Sequence, residues 1–67
     1  MKIILHYQTT ISKEIEVDDK FEALVSEEIE ELHEELMDIA YAEIEADGRY
    51  GEVSYIENKE GYLLVEI

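Results

Sequence analysis

Residues 18–47 read DDKFEALVSEEIEELHEELMDIAYAEIEAD, a stretch without Pro or Gly. Its apolar residues recur at helical spacing. At 100° per residue, Phe21, Val25, Ile29, Leu32, Leu36, Ile39 and Ala40 fall within an arc of roughly 100°. The spacing predicts one long helix lying across whatever the rest of the chain builds. Asp18 or Asp19 can cap it by accepting from free backbone N–H groups. Glu22 follows Asp19 at the capping-box spacing. Asp47-Gly48 supplies the stop, because Gly takes the left-handed conformation beyond a helix end at no steric cost. At ~1.5 Å per residue the helix reaches about 40 Å, against ~17–20 Å for a typical strand. Either it overhangs its sheet or it ends before Asp47.

The flanking segments read as strands. KIILHY (Lys2–Tyr7) is β-branched and aromatic, with Ile3, Leu5 and Tyr7 on one side and Ile4 and His6 on the other. After a polar turn over residues 8–12, KEIEV (13–17) alternates cleanly, as a half-buried edge strand does, with Ile15 and Val17 inward. Beyond the tight connector 48–51 comes EVSYIE (52–57), then a turn in which Gly61 is free to take positive φ. YLLVEI (62–67) is nearly continuous apolar, the mark of a strand covered on both faces. The expected fold is one α+β domain over residues 1–67. It has ββαββ order, a four-stranded mixed sheet of two hairpins, and one long helix packed across one face. The first and last strands would lie side by side and parallel, joined by a right-handed crossover.

This pattern resembles the β-grasp fold of the immunoglobulin-binding domains of protein G. The residues that carry the resemblance are Asp47, Gly48, Gly51-Glu52, Ser54-Tyr55, Tyr62, Leu64 and Glu66, in the last third of the chain. The resemblance implies the fold alone. The antibody-contacting Trp of that family falls at Val53, and its helix lysines find no match among the glutamates here.

Charge is the most informative chemical feature. Nineteen acidic residues stand against five basic ones in 67 residues, a net −14. Direct binding to nucleic acid or to an anionic membrane is disfavoured, since neutralising phosphates takes Lys and Arg. A basic protein surface, reached through electrostatic steering, is the expected partner. Glu27, Glu31, Glu34 and Asp38 are spaced four, three and four along the far side of the helix, flanked by Glu30, Glu35 and Glu45. Such spacings repel by about 0.2–0.5 kcal/mol per pair, and no Lys or Arg occurs between Lys20 and Arg49. One reading is a solvated face that keeps the chain in solution. The other is a row of carboxylates standing in for phosphates and competing for the groove of a nucleic-acid-binding protein. Small acidic inhibitors of phages and mobile elements are similar in size and charge. An acidic chain from a salt-loving organism is a further reading, which predicts folding only at molar salt.

The second face of the sheet offers a different interface. Ile4, Ile56, Leu63 and Val65 are expected there, beside His6, and a bare apolar face on a Cys-free chain this short favours a homodimer, such as a structural or regulatory accessory protein. Met37, Tyr41 and Ile44 sit off the main helical stripe, through drift of the long helix or as part of an interface. Tyr50, beside Arg49, is the best exposed aromatic candidate.

Catalytic chemistry finds little support. Glu30 and His33 form E-x-x-H, but di-iron sites need two such motifs and further Glu on neighbouring helices. No Ca²⁺ loop, nucleophile motif or phosphate loop occurs, and there is no Cys. The expectation is a non-enzymatic protein without metal or cofactor. With no signal-peptide pattern and no membrane span, it is expected in the cytoplasm.

Overall fold

A computed structural model describes every residue except Thr9 and Tyr50; the expected turn at 8–12 lies partly, and the expected exposure of Tyr50 wholly, outside the described residues. Strands β1 (Lys2–Tyr7) and β2 (Ile11–Glu16) are followed by a 3₁₀ helix (Asp19–Val25). Helix α1 (Glu30–Ala46) and strands β3 (Val53–Asn58) and β4 (Leu63–Glu66) complete the chain. The α+β class and the ββαββ order are as the sequence reads.

The sheet order is β2-β1-β3-β4, and every pairing is antiparallel. The parallel pairing of first and last strands, which would have made the sheet mixed, does not form. β1 pairs instead with β3. Burial explains the choice. Ile3, Leu5 and Tyr7 of β1 lie opposite Asn58, Ile56 and Val53 of β3, and all six are buried. β4 is shorter and brings only Leu64 and Val65 into the core. It is consequently an edge strand with Leu63 exposed, not a strand covered on both faces.

The predicted single helix is also broken. Residues 18–47 fold as the 3₁₀ helix and α1, separated by non-helical residues 26–29. A straight rod of about 40 Å would exceed the longest dimension of the molecule, 31 Å. Breaking at Ser26-Glu27-Glu28 turns the first segment back so that Phe21 and Leu24 join the core. Burying each contributes about 1.5–3 kcal/mol, more than the net ~1 kcal/mol of each helical hydrogen bond forgone. The tighter winding, three residues per turn, puts Phe21 and Leu24 on one face and leaves Val25 exposed. The phase of α1 is then set independently. Leu36, Ala40 and Ile44, at successive spacings of four, form its buried stripe, so Ile44 belongs to the core.

Local chemistry fixes the ends. The Asp18 carboxylate accepts from Lys20 N–H at 2.8 Å and caps the 3₁₀ helix. At the C-terminus of α1, Gly48 (φ 70°) donates to the Glu45 carbonyl and Arg49 N–H to that of Ile44, a Schellman closure. In the β3–β4 turn the buried Asn58 side chain accepts from the N–H groups of Glu60 (3.0 Å) and Tyr62 (2.9 Å), and Gly61 takes φ 90°.

Candidate functional site: an acidic ridge and a groove beside an edge strand

The stripe Leu36, Ala40 and Ile44 faces the sheet, so the opposite side of α1 faces water. At 100° per residue, Glu31, Glu34, Asp38 and Glu45 lie within about 60° of one another on that side, and all four are exposed. Glu30 and Glu35 flank them and are exposed too. Glu27 is exposed, but it lies in the break before α1 and not on the helix. The ridge therefore begins one turn later than the sequence spacing suggests.

The fold partly neutralises this charge from outside the helix. Lys20 pairs with Glu35, because the 3₁₀ helix folds back beside α1. Lys13 on β2 reaches Asp47 at 2.7 Å and Glu43 at 3.2 Å. Both lysines are held above the usual ammonium range, Lys20 chiefly by its hydrogen bond to Glu35 and Lys13 chiefly by that to Asp47. Neither partner of these pairs belongs to the row Glu31, Glu34, Asp38 and Glu45. Among the described residues, that row makes no ion pair. Sequence spacing could not assign the lysine partners, since each lies across a chain reversal.

The expected apolar sheet face is different in composition. Ile56 and Val65 are core residues, and only Ile4 and Leu63 of the expected four face outward, Ile4 half-buried and Leu63 exposed. Two register shifts cause this. Ser54 is an extra residue in β3 opposite the His6/Tyr7 step, and Leu64 is an extra residue in β4 opposite Ile56/Glu57. Each bulge resets the in–out alternation. The outer face instead carries Tyr55 stacked on His6, with ring centroids 4.1 Å apart. Glu57 approaches His6 Nε2 at 3.5 Å, and Glu14 is bridged by Lys59. Charged groups thus interrupt a face that was expected to be bare.

A feature that sequence reasoning missed lies at the other end of α1. A groove of about 720 Å³ opens between β4 and the break at residues 26–29. Its walls include Leu24, Val25, Ile29, Leu64 and Val65, with Glu27, Glu28, Glu30 and Glu66 around them and half-buried His33 at the helix side. It exists only because the helix breaks, so no periodicity could have signalled it. Among the described residues, no three His, Asp or Glu side chains converge as a metal would require, and no helix is long and apolar enough to cross a membrane.

No family model, curated protein or solved structure matches this chain.

Proposed function

We propose that this chain is a non-enzymatic binding module whose acidic ridge occupies the nucleic-acid-binding surface of a basic protein, as an inhibitor of the phage or mobile-element kind acting in the cytoplasm. The observation that carries the reading is the row Glu31, Glu34, Asp38 and Glu45, exposed on one face of α1 and without ion-pair partners among the described residues. Glu27 and Glu30 extend its field, and the flank at Glu35 is offset by Lys20. From Glu31 through Glu34 to Asp38, steps of three and four residues put one carboxylate every ~4.5–6 Å of helix axis, and the seven-residue step to Glu45 spans ~10.5 Å. One strand of duplex DNA carries a phosphate every ~3.4 Å. Over Glu31 to Asp38 the two densities agree within a factor of two, enough for the same Lys and Arg side chains to engage either. A net charge of −14 steers encounter with such a surface and repels nucleic acid itself. The rival reading, a homodimer through the outer sheet face, is weakened by the burial of Ile56 and Val65 and by the charged groups around Ile4.

The test is a competition. The chain is immobilised and presented with basic nucleic-acid-binding proteins from a lysate, at low and at high salt. Retained proteins should elute with salt, and the free chain should displace duplex DNA from them. Glu31→Lys combined with Asp38→Lys should abolish both effects. Retention that ignores salt, or a double variant that competes as well as the parent, overturns the proposal.

A further inference from the structure

The acidic ridge and the groove share a border. Glu27 and Glu30 flank the ridge and also line the groove. Past that border the surface changes character. The 3₁₀ helix packs against β4 and covers that edge of the sheet. The chain then leaves helical geometry at residues 26–29, and a hollow of about 720 Å³ opens there. Its size lies within the ~300–1,000 Å³ of sites that enclose a compact ligand. Val25 is 38% exposed on its wall, and Ile29 is half-buried. Glu27, Glu28, Glu30 and Glu66 stand around these aliphatic groups, all exposed. Among the described residues none of the four makes an ion pair, and no Lys or Arg lines the groove.

We infer that the groove is an anchor pocket for the protein that covers the ridge. It receives one aliphatic side chain, of the size of Leu or Met, from a basic segment of that partner. The aliphatic side chain lies against Val25 and Ile29, and Lys or Arg beside it meets the surrounding carboxylates. A buried apolar anchor ringed by polar contacts carries a large share of the energy of many interfaces. Charge decides the occupant. A second copy of this chain would bring more carboxylates to a place that already holds four unpaired ones. The anchor also supplies what the ridge lacks, since net charge attracts basic surfaces without choosing among them. The inference rests on the acidic-surface proposal for the basic character of the partner and adds the contact that selects it.

The probes are two short Lys-rich peptides, one with a central Leu and one with Ala in its place, titrated into the isotope-labelled protein. The Leu peptide should bind at least about tenfold more tightly and should shift the backbone resonances of residues 25–30. Added salt should weaken both peptides but leave their ratio, because the apolar contact is not screened. Val25→Glu puts a further carboxylate at an exposed position. Charge alone would then tighten both peptides, whereas loss of the aliphatic wall should bring their ratio close to one. Circular dichroism checks that this variant keeps the fold, and the comparison of the two peptides on the parent stands without it. Glu31→Lys combined with Asp38→Lys should weaken both peptides together and leave the ratio. Equal affinities on the parent, a ratio that survives Val25→Glu in the folded variant, or shifts confined to the ridge would each overturn the pocket while leaving the ridge proposal standing. Failure of both peptides to bind at low salt would overturn the two together.

Discussion

Replacing Glu34 by Gln should make this protein more stable, the opposite of what most substitutions do. Glu34 is exposed in the second turn of α1, with Glu30 four residues before it, Glu31 three before and Asp38 four after, all exposed carboxylates. Each like-charge pair at these spacings costs about 0.2–0.5 kcal/mol, so removing one charge relieves about 0.6–1.5 kcal/mol. Gln and Glu have nearly the same helix propensity, so the backbone term cancels. No lysine engages Glu34: Lys20 is committed to Glu35 and Lys13 to Glu43 and Asp47. For a domain of this size ~1 kcal/mol corresponds to about 4–8 °C in Tm, so the expected rise is about 2–12 °C. Thermal unfolding followed by circular dichroism at low salt reads it directly. In 1 M salt, where the screening length falls to about 3 Å, most of the difference should vanish. An unchanged or lower Tm, or a gain that persists at high salt, would refute the claim that the ridge carries unrelieved repulsion. The same variant should compete less well for a basic partner, since the charge that destabilises the helix is the one proposed to bind.

Three further outcomes are expected. Asn58→Ala should cost about 1–3 kcal/mol in denaturant unfolding, because the Glu60 and Tyr62 N–H groups lose the acceptor that organises the β3–β4 turn. Gly48→Ala should cost about 1–2 kcal/mol by the same measurement, the penalty of a Cβ at φ 70°; its surroundings are open, so the loss comes from backbone conformation and not from a clash. Lys13→Met should lower Tm at neutral pH by removing the tie between β2 and the end of α1. Because the folded state raises the Lys13 pKa above 10.5, that contribution is fully present below 10.5 and is lost as pH rises through the raised value. The Tm difference between parent and variant should therefore shrink in strongly alkaline buffer and stay constant under mildly acidic to neutral conditions.

The residues themselves determined a good deal. Strict alternation in KIILHY set which side of β1 is buried, and Ile3, Leu5 and Tyr7 are buried as that alternation requires. Asp47-Gly48 ended α1, and Gly61 took the positive φ of its turn. The outward placing of Glu31, Glu34 and Asp38 follows from a period of 3.6 residues, whereas Glu27, expected at the head of that row, lies in the break before α1. These features depend on neighbours within a few residues, where backbone geometry leaves little choice. Only the tertiary structure decided the rest. Which strand lies beside β1 depended on comparing the burial that β3 and β4 each offer, a sum over the whole core. Where the long helix breaks depended on the size of the sheet, which made folding Phe21 and Leu24 back onto it worth more than helical continuity. The bulges at Ser54 and Leu64 moved Ile56 and Val65 inside, because one extra residue reverses the facing of all that follow. The groove beside β4 and the lysine partners of Glu35 and Glu43 arise from those same decisions. They join residues far apart in the chain, where local pattern carries no information.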